Sequence, residues 1–216
     1  WNCFHAEQAI AAFEAGKHVF CEKPLALTVE DCMAMRAAWK RSGKMFTIGF
    51  TLRYSPHYRR VRELLDANEI GEILSMEFNE TLDFNHGGYI HADWRRLTKN
   101  AGTHLLEKCC HDLDLANLMT GSIPVRVASF GSLRFFVPEN EGLMQELGPN
   151  PGNGNPPFAW GRPTCGKNPF VADKDILDNQ VAILQYASGA NATFHTNCSC
   201  LIPERRMYLC GARGTI

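Results

Sequence analysis

The run His18-Val19-Phe20-Cys21-Glu22-Lys23-Pro24 sets an acid, a base and a proline directly after two β-rich apolar positions. Val19 and Phe20 read as the end of a buried strand. Pro24 ends it, because proline has no N–H to offer a ladder. The strand end thus delivers an ionisable pair, Glu22 and Lys23, to a sheet edge, and in open α/β sheets ligands bind at that edge. A second candidate lies in Ala101-Gly102-Thr103-His104-Leu105-Leu106-Glu107-Lys108-Cys109-Cys110-His111-Asp112-Leu113-Asp114-Leu115. Glu107 and His111 are four apart, so on one continuous helix their side chains lie one above the other. A carboxylate placed there can hold the imidazole's tautomer and raise its basicity. A histidine titrating near neutrality suits the taking and returning of a proton. Asp114, three beyond His111, can touch the same face. The Glu107–His111 pair also fits an ordinary surface ion pair. His104, His111 and Asp114 lack metal-ligand spacing, so no metal is expected.

From Ala12-Phe13-Glu14-Ala15-Gly16-Lys17 through Glu22-Lys23-Pro24 to Leu25-Ala26-Leu27-Thr28, the sequence resembles the Gfo/Idh/MocA family of NAD(P)-dependent oxidoreductases. The resemblance implies that Lys23 is a catalytic lysine beside the nicotinamide, with Glu22 and Pro24 next to the cofactor. It implies that His111 faces nicotinamide and substrate as general base. Glu107 would orient it, in place of the family's usual aspartate. Lys23 would hydrogen-bond the same substrate oxygen and stabilise charge forming on it; whether Lys23 or His111 takes the proton stays open. The form Glu107-Lys108-Cys109-Cys110-His111 resembles one branch of the family. The longer carboxylate, and the reduction of the approach glycines to Gly102, leave the substrate class open. His5 resembles a histidine before the helix that flanks the nicotinamide. Arg53, in Ile48-Gly49-Phe50-Thr51-Leu52-Arg53-Tyr54, resembles a residue near the cofactor, and Trp94-Arg95 a pair lining the cleft. The tail from Arg205 to Thr215 resembles a late strand and turn. The implied cofactor is NAD or NADP, and the implied reaction is hydride transfer with a polyol, sugar or sugar derivative. An NAD-dependent glycoside hydrolase and a non-catalytic sugar- or dinucleotide-binding sensor are the alternatives. The resemblance also implies a homo-oligomer formed through the second domain's sheet.

The elements that must position these residues are legible in outline. Apolar spacing predicts a helix from His5 to Ala15 with Gly16 beyond its end, and a strand from His18 to Cys21. Thr28 is the expected N-cap of a helix running to Arg41, with Asp31 as capping-box partner. Met45 to Phe50 is a second strand, parallel to the first in a βαβ unit. Pro56 opens a helix to Asn68. A strand from Ile73 to Glu80, a polar segment from Thr81 to Asn100 and one helix from Gly102 to Met119 are expected next. Val125 to Phe136 reads as a long strand. Val137 to Asp173, rich in proline and glycine, reads as a long loop. Leu177–Tyr186 and Ala190–Cys200 form a hairpin across Ser188-Gly189, and Met207–Cys210 a further strand. The expected fold is α/β plus α+β. Residues 1–53 are the C-terminal part of a Rossmann-type dinucleotide domain, and 54–216 an α+β domain with a large, mostly antiparallel sheet.

The whole chain bounds the reading. It has 216 residues, 45% hydrophobic and 21% charged, with a net charge of −1. No basic bias points to nucleic acid, and no stretch approaches the roughly 20 apolar residues that span a bilayer. No Gly-x-Gly-x-x-Gly turn occurs in it. The first residue is Trp1 and the last residues begin a strand pattern, so a fragment missing both ends is expected. The nine cysteines contain no Cys-x-x-Cys pair and sit mostly among apolar neighbours. Buried free thiols in a reducing compartment, hence a cytoplasmic protein, are expected. The sequon matches at Asn79, Asn191 and Asn197 read as chance.

Overall fold

The computed structural model describes residues 1–146 and 167–216. Two sheets organise the chain. Helix α1 (His5–Glu14) packs Ala9 and Phe13 inward and ends before Gly16. Strand β1 (Val19–Cys21) runs parallel to β2 (Phe46–Ile48), with Val19 opposite Phe46 and Cys21 opposite Ile48. Between them lies α2 (Val29–Ser42). The Thr28 hydroxyl caps it, accepting from the Asp31 N–H at 3.0 Å, and Gly43 closes it with φ +64°. This is the expected βαβ unit.

The second body is a five-stranded sheet under helices. Pro56 opens α3 (Pro56–Asp66), with the Ser55 hydroxyl as its N-cap. The strands are β3 (Ile73–Asp83), β4 (Pro124–Ser132), β5 (Asn179–Tyr186), β6 (Asn191–Cys200) and β7 (Arg205–Gly211), in spatial order β4-β5-β6-β3-β7. Every neighbouring pair is antiparallel except β3 and β6. The alternation of β6 decides its orientation. Ala192, Phe194, Thr196 and Cys198 face the helices and are buried, while Thr193 and His195 face outward. The main core joins Met76, Phe78, Leu184, Phe194 and Leu209 of the sheet to Tyr58 and Val61 of α3 and Leu115 and Met119 further on. Burying such side chains stabilises by roughly 1.5–3 kcal/mol each.

Three expectations are corrected. The segment 81–100 is largely helical. It holds α4 (Phe84–Ala92), a 3₁₀ turn at Trp94–Arg96 and α5 (Thr98–Ala101). Asp83 starts α4 by accepting from the His86 N–H at 2.9 Å. Gly87 lets it lie on β6, since a Cβ there would stand 1.9 Å from the Cys198 carbonyl oxygen. The long helix 102–119 is broken into α6 (His104–Glu107) and α7 (Cys110–Thr120). The strand expected to reach Phe136 stops at Ser132. There the buried Asp178 carboxylate accepts from the N–H groups of Arg134, Phe135 and Phe136, which turns the chain out of the ladder. A 3₁₀ turn (Pro138–Asn140) and α8 (Leu143–Glu146) follow. The centre of the expected long loop, with Pro149, Pro151, Pro156, Pro157 and Cys165, lies outside the described residues. The eight described cysteines are free thiols. Among the described residues no helix is long and apolar enough to cross a membrane.

Candidate active site

The carboxyl ends of β1 and β2 carry the first candidate group. Gly49 follows β2 and donates its N–H to the Cys21 carbonyl at 2.8 Å. A Cβ on Gly49 would stand 2.8 Å from Glu22 Oε2, so a side chain here would displace the Glu22 carboxylate. The Lys23–Pro24 peptide is cis, and the Pro24 carbonyl lies 2.8 Å from His5 Nδ1. His5, Glu22, Lys23 and Pro24 therefore share one loop region. A cavity of about 410 Å³ runs between α1 and β1, lined by His5, Gln8, Phe20, Cys21 and Glu22.

Lys23 reaches out of this turn to the second body. Its ammonium donates to the Glu107 backbone carbonyl at 2.5 Å and stands 3.5 Å from Glu107 Oε1. In an unbroken helix that carbonyl would accept the N–H of residue 111. The break between α6 and α7 frees it for Lys23. The break also removes the stacking expected of Glu107 over His111. The Glu107 carboxylate turns instead to Lys23 and to Arg95, whose Nε donates to it at 3.1 Å. Burial works against this carboxylate, but the Lys23 and Arg95 charges outweigh it and hold its pKa below the usual range.

His111 has a different environment. No hydrogen bond joins it to Glu107, and its Nδ1 is buried without a partner. The expectation that Glu107 orients His111 is thus corrected. The ring meets Phe50 edge-on, with centroids 6.1 Å apart. Burial, then the Lys23 charge, then the Arg205 charge push its pKa down to about 4. Lys23 therefore acts on both Glu107 and His111. At neutral pH the ring is uncharged, with a lone pair that can accept a proton, and the ammonium beside it makes the imidazolium so formed quick to give the proton up.

The remaining expected residues are placed as follows. Arg53 forks onto Asp114, with Nε to Oδ2 at 2.6 Å and Nη2 to Oδ1 at 2.5 Å, and lies over Phe50. Asp114 is therefore held by Arg53 and not by His111. Arg95 stacks on Trp94 at 4.2 Å and on Tyr89 at 5.0 Å, and donates to the Tyr89 hydroxyl at 2.6 Å. Trp94 itself stacks on Trp1, 5.5 Å between centroids. His104 is buried and pairs with the Thr196 hydroxyl, so His104, His111 and Asp114 go three separate ways. Among the described residues no group of His, Cys, Asp and Glu could hold a metal ion.

Sequence reasoning missed Tyr89, which braces Arg95, and the buried carboxylates Glu80 and Asp112 behind His111, with the partly exposed cations Lys108 and Arg205 that face them. One signal was available. In β3 the core-facing row is Met76, Phe78, Glu80, and a carboxylate in an apolar row requires a partner.

A profile of the GFO/IDH/MocA C-terminal domain matches residues 58–216, and one of the oxidoreductase family with an NAD-binding Rossmann fold matches residues 1–50. Inositol 2-dehydrogenase of Salmonella paratyphi B is 46% identical over 147 residues, 68% of this chain and 39% of that protein. Levoglucosan dehydrogenase of Pseudarthrobacter phenanthrenivorans is 31% identical over 190 residues, 88% of this chain and 45% of that protein. A solved structure of levoglucosan dehydrogenase in complex with NADH matches all of this chain and 51% of its own, with TM-score 0.78 and 24% identity, and so shows the shared fold. The chain spans less than half the length of these two curated relatives.

Proposed function

Since the chain belongs to the Gfo/Idh/MocA oxidoreductases, with their NAD-binding Rossmann fold, we propose that it is the catalytic part of an NAD(P)-dependent dehydrogenase of a polyol, sugar or sugar derivative. The observation that carries this reading is the Lys23 ammonium, bonded to Glu107 and near enough to His111 for its charge to act on the ring, where two bodies of the chain meet. The names of its relatives support the substrate class. We divide the chain at 53/54, and place it in the cytoplasm on the strength of its free thiols.

The residues present fit the nicotinamide end of a dinucleotide. A cation and His5 stand at the carboxyl ends of two parallel strands, where such groups bind. Glu22, Lys23, Pro24, His5, Arg53, Trp94 and Arg95 are the residues that would line it. When bound, NAD(P) supplies the carrier of the hydride. The chain's own residues handle the proton. Neutral His111 takes it from the substrate hydroxyl. Lys23 has three N–H groups. Two point toward Glu107, leaving one for the substrate oxygen, where it stabilises negative charge as it forms. Glu107 is a positioning residue for Lys23, and Arg95, braced by Tyr89, keeps its carboxylate in place. The chain's assembly is proposed to use the open sheet face, where Phe130 is 78% and Ile183 60% exposed on adjacent strands.

The test uses the full-length protein with NAD and NADP and a panel of polyols, sugars and glycosides. Appearance of reduced nicotinamide with a polyol or sugar supports the reading. Glycoside cleavage without net reduction would point to the hydrolase. Tight NADH binding with no turnover on any member would point to a sensor and overturn the dehydrogenase.

A further inference from the structure

Behind His111 two carboxylates converge on one guanidinium. Glu80 continues the core-facing row of β3, and Asp112 lies in the first turn of α7, next to His111. Both are almost fully buried, 3% and 2% exposed. Arg205 of β7 donates from Nε to Asp112 Oδ1 at 2.9 Å and from Nη2 to Asp112 Oδ2 at 3.4 Å, and its Nη2 also meets Glu80 Oε1. Lys108 stands 3.8 Å from the same Glu80 oxygen, beyond hydrogen-bond reach. Glu80 Oε2 is buried and receives no donor from any nitrogen or hydroxyl. The groups around the pair are Tyr58 from α3, Lys108, Cys109, Cys110 and His111 from the α6–α7 segment, and Arg205 from β7, with His86 and His104 facing Glu80. None of these supplies the missing donor to Oε2. A buried carboxylate oxygen left bare is costly. The donor that remains is Asp112 itself, which is hydrogen-bonded to Glu80 if it carries a proton.

We propose that Glu80 and Asp112 hold one proton between them at neutral pH and, locked by Arg205, form a positioning pair that anchors the start of α7 and so aims His111. The directions of titration agree with the geometry. Burial, then the Glu80 charge, raise Asp112 to about 8. Burial opposes Glu80, but the Asp112 hydrogen bond and the Arg205 charge lower it. Two buried carboxylates gathered on one guanidinium cannot both ionise easily, so one stays neutral. As pH rises through about 8 the proton leaves to solvent. Two anions then face each other across Arg205, the anchor loosens, and His111 acquires a second negative charge nearby. The pair is assigned no contact with substrate or cofactor and acts through His111. Proton sharing is independent of the assigned reaction, whereas the effect on His111 rests on it.

The test uses infrared spectroscopy and pH–rate profiles on the full-length protein. Wild type should show the carbonyl stretch of a buried protonated carboxylic acid at pH 7, lost as pH passes about 8. Asp112→Asn should lack it. Glu80→Gln should lack it too, because the single remaining carboxyl ionises against Arg205. A band absent from wild type at pH 7, or retained in both variants, overturns the shared proton. The wild-type kcat profile should carry a step near the same pH that disappears in Asp112→Asn. A step unchanged in that variant overturns the positioning role while leaving the shared proton standing. If no substrate is turned over, the infrared arm still decides the pair.

Discussion

Lys23 and Glu107 lie 84 positions apart in sequence, yet the lysine ammonium closes on the glutamate's backbone carbonyl at 2.5 Å. This bond ties the strand-end turn of the first body to the helix break of the second. It engages a carbonyl that exists as a free acceptor only because α6 stops at Glu107. The lysine's direction is therefore set by a helix terminus, and the carboxylate beside it adds charge.

Lys23→Met in the full-length protein should lower kcat on the order of 10²–10⁴-fold, the range for one positioned proton or charge group. Glu107→Gln keeps the backbone carbonyl and should cost less than Lys23→Met. The check is steady-state kinetics on both variants. A larger loss in Glu107→Gln would show that the carboxylate does more than place Lys23.

His111→Asn should reduce kcat by about 10²–10⁴-fold with KM little changed, as expected for a group acting mainly in the transition state. With its pKa held at about 4, His111 stays neutral well below the usual histidine range. The acid limb of kcat/KM should therefore lie below about 6. A wild-type limb near 6.5 that persists in His111→Asn would assign it to another group.

His104 is 3% exposed, and burial holds its pKa near 4. The unfolded chain takes up this proton first, so stability is full above about 6.5 and is lost as pH falls toward 4. The contribution is on the order of 3 kcal/mol for this histidine. Urea titrations from pH 7 to 4.5 should show the decline, and His104→Gln should make it shallower by one histidine's share, the rest remaining with His86, His91 and His111.

Gly87→Ala places a methyl 1.9 Å from the Cys198 carbonyl oxygen. Backbone on both sides leaves no flexible atom to yield. Overpacking of this kind costs about 3 kcal/mol, which should lower Tm by roughly 6–12 °C for a chain of this size. Calorimetry on the variant measures it, and an unchanged Tm would show that α4 can lift off β6 freely.

Ile183→Lys sets a charge amid the exposed Phe130, Val181 and Ile183 of the open sheet face. If that face joins copies of the chain, the variant should shift toward monomer in light scattering at micromolar concentration, with its helical circular dichroism intact. A full-length wild-type protein that is already monomeric would remove the proposed interface.

Local signals in the sequence were enough for the βαβ unit. Thr28 and Gly43 bound α2, and short apolar runs on either side mark β1 and β2. The same kind of signal located the turn at Glu22-Lys23-Pro24, the Ser188-Gly189 hairpin, and Glu107 and His111 as chemistry-bearing residues. What each of these groups touches was decided by tertiary structure. The spacing of Glu107 and His111 predicts a stacked pair only on an unbroken helix, and the break at Lys108–Cys109 turns the carboxylate to Lys23 and Arg95. Asp114 belongs to Arg53 for a related reason, since the segment after β2 comes to lie beside α7. Helix α4 was hidden in what reads only as a polar segment, and its close approach to β6 at Gly87 is what makes that glycine fit inside a helix. Period and capping act between neighbours in sequence, and so are legible there. Ion pairs between β3, β7 and α7 depend on where chain segments far apart in sequence are packed, which no local pattern encodes.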